Sequence, residues 1–110
     1  MMTITARAEI DVLFRQGKRV TKNALAILAE RTPQARGQDG RVLFVAGKKL
    51  GNAVVRNRSK RVLRETARRV GGPWPGWDVA LIARAATRSA APQDLDAALR
   101  AALKTAGIAG

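Results

Sequence analysis

The residues of this chain best equipped for chemistry are guanidinium and ammonium groups. Between Lys48 and Arg69 stand nine of them, Lys48, Lys49, Arg56, Arg58, Lys60, Arg61, Arg64, Arg68 and Arg69, against one acid, Glu65. These 22 residues therefore carry +8 of the formal charge of +13, and the other 88 carry +5. Such groups bind anions rather than break bonds, and the planar fork of arginine matches phosphate oxygens in pairs. The balancing observation is an absence: the chain has no His and no Cys. Zinc sites, imidazole bases, thiol nucleophiles and disulfides are thereby excluded, because each needs one of those groups. The acids offer no substitute. Asp94 and Asp96 lie two apart on a predicted helix and point in different directions, a poor metal pair, with Asp94 better suited to favour the helix start. Gly47-Lys48-Lys49-Leu50-Gly51 has the wrong spacing for a phosphate loop. A large share of ordinary enzymology is thereby excluded.

A charge of this size repels itself unless a polyanion offsets it. An anionic membrane surface would call for bulky aromatics opposite a basic face, yet aromatics make up 4% of the chain. Nucleic acid is the better partner. No stretch approaches the roughly 20 apolar residues of a spanning helix, and Met1 to Ile10 lacks the basic start and apolar centre of a signal peptide. A soluble, cytoplasmic protein is expected. At 110 residues and 46% apolar, residues 1–110 suffice for a single domain.

The cations need an element to hold them in order. Asn52 before Ala53-Val54-Val55 reads as a helix cap, and Gly71-Gly72-Pro73 as its stop, which predicts a helix over 53–70. At 100° per residue, Arg56, Lys60, Arg64 and Arg68 share one i, i+4 ridge with Asn57 and Arg61 beside it, while Val55, Val62, Leu63 and Val70 fall on the opposite arc. Ser59 lies towards the buried side, and Glu65 is placed to pair with Arg61 or Arg69. Like charges at this spacing repel by a few tenths of a kcal/mol per pair, and phosphates laid along the ridge reverse the sign.

Around this helix, Ala6, Ile10, Leu13 and Phe14 predict a helix over 6–16 closed by Gly17. Strands follow at 19–21, 24–29 and 41–46, with a turn over 31–40. The apolar run 79–83 predicts a strand covered on both faces. Pro92 opens a last helix ending near Gly107, with a stripe of Leu95, Leu99, Ala102 and Leu103. Trp74-Pro75-Gly76-Trp77 reads as a packed turn rather than a base-stacking loop. The order αβββαβα makes an α+β, single-domain α/β sandwich.

The string from Lys48 to Glu65, with Arg56-Asn57-Arg58, Lys60-Arg61 and Arg64-Glu65 at its centre, resembles the signature of the bacterial ribonuclease P protein subunit. The likeness extends coarsely from Ile4 to Leu103 and includes Asp78-Val79-Ala80-Leu81-Ile82-Ala83-Arg84. It implies a left-handed β-α-β crossover around the basic helix, where the general rule favours the other hand. It also implies a noncatalytic subunit of an endoribonuclease whose RNA holds Mg²⁺ and cuts precursor tRNA to leave the mature 5′ end. Carried over by position, Arg56, Asn57, Arg58, Lys60, Arg61 and Arg64 would contact ribonuclease P RNA, and Arg68 extends the ridge by geometry. Lys48, Lys49 and Phe14 would border a cleft for the 5′ leader, Phe14 by stacking on an unpaired base. No obligatory protein partner is expected. Ile10 and Leu28 stand where the family usually has aromatics, so leader stacking should be weaker or differently built. Gly47 and Ser59 also depart from the usual pattern, at a common Ser and a common Val or Ile. A structural RNA-binding protein, such as a small ribosomal protein, is the alternative reading, and a stand-alone metal-dependent nuclease a more distant one.

Overall fold

Alternation in the strands decides how the layers assemble. In the computed structural model, which describes residues 3–4, 7–32 and 39–108, the elements run α1 (Arg7–Gln16), β1 (Lys18–Thr21), β2 (Leu25–Arg31), β3 (Arg41–Val45), a 3₁₀ turn (Lys48–Leu50), α2 (Ala53–Val70), β4 (Trp77–Ala83) and α3 (Pro92–Ala106). The strands form one mixed sheet in the order β1-β2-β4-β3. β2 is antiparallel to both β1 and β4, and β3 is parallel to β4. Parallel neighbours need a crossover, and α2 supplies it.

Because side chains alternate across a strand, β2 and β4 feed two cores at once. Leu25, Ile27 and Ala29 of β2 and Val79, Leu81 and Ala83 of β4 join Leu63 and Ala67 of α2 and Leu95, Leu99, Ala102 and Leu103 of α3. On the other face, Leu28 and Ala80 join Ile4 and Leu13, with Ile10, Leu43 and Ile82 packed against them. Among the described residues, one face thus lies under two helices and the other under α1 and Ile4. The apolar run 79–83 is covered on both faces as expected, with Ile82 partly open.

Strand β2 runs two residues beyond its expected end, because Glu30 and Arg31 pair with Asp78 and Trp77 at the start of β4. The middle of the expected 31–40 turn lies outside the described residues. Gly40 is required where it stands, since a Cβ there would overlap the Trp74 carbonyl oxygen. Trp74 is buried, in line with a packed turn, and the Arg31 guanidinium lies 4.9 Å from the centroid of the Trp77 ring.

Candidate nucleic-acid interface

Helix α2 is fixed at both ends by local chemistry. The Asn52 side chain accepts from the Val55 amide at 3.0 Å, and Gly71, at φ 98°, donates to the carbonyls of Ala67 and Arg68. Only glycine adopts that left-handed conformation without strain. Inside the helix the buried arc includes two hydroxyls, Ser59 and Thr66, each satisfied by donating to the carbonyl four residues back, Val55 and Val62. Ser59 is therefore tolerated in the packed face.

The basic ridge is not uniformly presented. Successive i, i+4 steps advance about 40° around the axis, so a row that begins near Leu63 winds out to solvent. Arg56 and Lys60 are half-buried, whereas Asn57, Arg58, Arg61, Arg64 and Arg68 are exposed. This corrects the expectation that Val55, Val62, Leu63 and Val70 lie opposite the ridge: Arg56 sits on the flank of their arc. Its Nε is enclosed without a hydrogen-bond partner among the described residues.

The two flanks of α2 differ in what they meet. Towards α3, Arg69 donates from Nε to both carboxylate oxygens of Asp96, at 2.9 and 3.1 Å, and from a terminal nitrogen to Thr66. The expected pairing of Glu65 with Arg61 or Arg69 does not occur; Asp96 takes Arg69 because α3 packs alongside. Towards β3, the Arg64 guanidinium lies 5.3 Å from the centroid of the Phe44 ring. Among the described residues, Arg56, Arg58, Lys60, Arg61, Arg64 and Arg68 make no ion pair. Six cations are thus held on a rigid element with their charge uncompensated.

A second region lies on the α1 face of the sheet. Phe14 is 44% exposed, so it is not a core anchor. It follows Ile10 by one helical turn on the same ridge, and Ile10, like Leu43 and Ile82, packs against the cluster of Ile4, Leu13, Leu28 and Ala80. The same face of the edge strands carries Val45 on β3 and, by alternation with buried Val20, Arg19 and Thr21 on β1. Lys48 and Lys49 are exposed in the 3₁₀ turn beyond β3, rather than at the strand end itself. Helix α1 is moored by Arg41, which pairs with Glu9 of α1 and Asp78 of β4. The hydrogen bond to Glu9 raises the Arg41 pKa above its ordinary value against the opposing effect of burial. Among the described residues, no group of three acids gathers as a metal site.

The comparisons with known proteins agree with this geometry. A family model described as Ribonuclease P matches residues 2–107. The ribonuclease P protein component of Gluconacetobacter diazotrophicus is 39% identical over 110 residues, covering 94% of this chain and 90% of that protein. The chain belongs to the ribonuclease P protein family. Solved ribonuclease P proteins share the fold: that of Staphylococcus aureus superposes with a TM-score of 0.79 at 24% identity, covering 98% of this chain and 97% of its own. That of Thermotoga maritima gives 0.76 at 24% identity, with 100% of both chains covered.

As a member of this family the chain is the protein subunit of ribonuclease P, a ribonucleoprotein enzyme, and its partner is ribonuclease P RNA. The resemblance read from Lys48 to Glu65 holds, and the ribosomal-type alternative is not favoured. The structure brings Arg56, Asn57, Arg58, Lys60, Arg61, Arg64 and Arg68 together on α2 and sets Phe14 apart on α1. Sequence reasoning missed that Arg19, Leu43, Val45 and Ile82 share the α1 face of the sheet, though strict alternation on β1, β3 and β4 points to it. It also missed Arg41, whose partners are 32 and 37 residues away. No helix among the described residues is long and apolar enough to cross a membrane.

Proposed function

We propose that, in the cytoplasm, α2 docks this subunit onto ribonuclease P RNA while the groove beside α1 holds the 5′ leader of precursor tRNA. The Mg²⁺ ions belong to the RNA, which cleaves the precursor to leave the mature 5′ end. The carrying observation is the row of cations on α2, from Arg56 to Arg68, that no carboxylate among the described residues neutralises. Each bound phosphate replaces repulsion along the ridge with charge-assisted hydrogen bonds, and condensed counterions are released.

For the groove, the supporting observation is an exposed aromatic ring on α1, on the side of the sheet where Leu43, Val45 and Ile82 stay partly open, with Lys48 and Lys49 exposed just beyond β3. An unpaired leader base finds there a ring to stack on and ammonium groups for its phosphates. With Ile10 and Leu28 in place of aromatics, Phe14 carries the stacking alone. Holding the leader raises the occupancy of substrate at the RNA's reactive centre without this chain touching the scissile bond.

The test is binding of the purified chain to ribonuclease P RNA across a salt series, with precursor processing at low Mg²⁺ followed in parallel. Arg64→Ala is expected to weaken binding and lower the magnitude of the salt slope by about 0.7–0.9 per lost phosphate contact. An unchanged slope would mean that the residue faces solvent in the complex. Cleavage of precursor tRNA by the chain without RNA would overturn the division of labour.

A further inference from the structure

We infer that Phe44 is a positioning residue for RNA docking, its ring on the edge strand β3 holding the Arg64 guanidinium in place while leaving its charge and donors free. The inference rests on the reading of α2 as the RNA-docking surface and deepens it. Strand β3 is the last in the sheet, and among the described residues its outer neighbour is Thr3, bridged at Val42. Two residues on, Phe44 lies on the α2 face of the strand, half-buried and packed against the main core. Arg64 reaches over it from the flank of α2 facing that edge, at 5.3 Å.

What the ring contributes follows from what else surrounds Arg64. The neighbours one turn away on the helix are Lys60 and Arg68, both cations, which push the guanidinium away rather than fix it. No carboxylate pairs with it among the described residues. An unrestrained arginine has many rotamers and must give them up on binding. The ring attracts the cation through its quadrupole, whereas the five N–H donors of a guanidinium lie in its own plane. Aromatic support thus narrows the rotamers without using up the hydrogen bonds a phosphate needs.

Arg69 supplies the internal contrast. It too is held, but by Asp96, which takes its Nε–H and offsets its charge. A carboxylate partner removes an arginine from the RNA-binding set, and an aromatic partner prepares it.

The experiment is a double-mutant cycle in ribonuclease P RNA affinity, using the full chain with Phe44→Leu, Arg64→Ala and both together. Phe44→Trp serves as the conservative variant, and thermal unfolding is recorded for each. Phe44→Leu is expected to weaken binding about two- to fivefold with the salt slope unchanged, since no phosphate contact is lost. Phe44→Trp should retain affinity, and Phe44→Leu should have no further effect in the Arg64→Ala background. Equal losses in both backgrounds would overturn the inference and make the ring mere packing. An Arg64→Ala variant that binds like the parent would overturn the docking role of Arg64, and the inference with it. Should Leu lower stability enough to obscure binding, Phe44→Met provides the same cycle with a side chain that fits irregular gaps.

Discussion

The two faces of the sheet share β2 and β4 but have opposite characters. One lies beneath α2 and α3, where Leu63, Leu81, Leu99 and Leu103 are sealed from water. The other lies beneath α1 and Ile4, where Leu43, Val45 and Ile82 remain partly open and Phe14 is exposed. The closed face stabilises the fold and fixes how the cations of α2 are presented, from half-buried Arg56 and Lys60 to exposed Arg64 and Arg68. The open face leaves apolar surface uncovered, which a folded chain keeps only at some loss of burial energy. On the proposed reading, leader binding lies on the open side of the four strands, while the closed side carries both the main core and the docking helix.

The sharpest way to break this contrast is at the floor of α2. Leu63→Ala should lower stability by about 2–5 kcal/mol, measured by denaturant unfolding, and RNA binding should fall only as the folded fraction falls. A selective loss of RNA affinity in a fully folded sample would show that the closed face is more than support. On the open face, Phe14→Ala should leave unfolding nearly unchanged and reduce affinity for leader-bearing precursor by about 1–3 kcal/mol, the scale of one base stack. Mature tRNA binding should not move; equal losses for both ligands would make Phe14 structural. The smallest effect belongs to the seam between α2 and α3. Arg69→Ala should cost at most about 1 kcal/mol of stability, as expected for a partly exposed ion pair, and leave the RNA salt slope untouched. A reduced slope there would place Arg69 among the docking cations.

How much of this was legible depended on whether the cause was local. Helix α2 was readable to the residue because Asn52 and Gly71 act on amides and carbonyls within a few positions. The extension of β2 to Arg31 was not, because it depends on Trp77 arriving as a partner across the sheet. The half-burial of Arg56 and Lys60 escaped a wheel drawn from sequence, since which part of a winding ridge meets β3 is decided by how the helix is laid on the sheet. Ile10 and Leu28 read as lost aromatics, yet both belong to the core beneath α1. Arg41 looked like one more cation until folding brought it to Glu9 and Asp78.

The end-stops of α2 have one more implication. With Asn52 and Gly71 closing an 18-residue helix about 27 Å long, its positive groups are the marks of a ruler that keep a constant angular offset. Such a ruler tolerates substitution far better than a change of length. One residue inserted ahead of Arg64 would rotate every later mark by about 100°, lifting that guanidinium off its ring and bringing another side chain to the seam with α3.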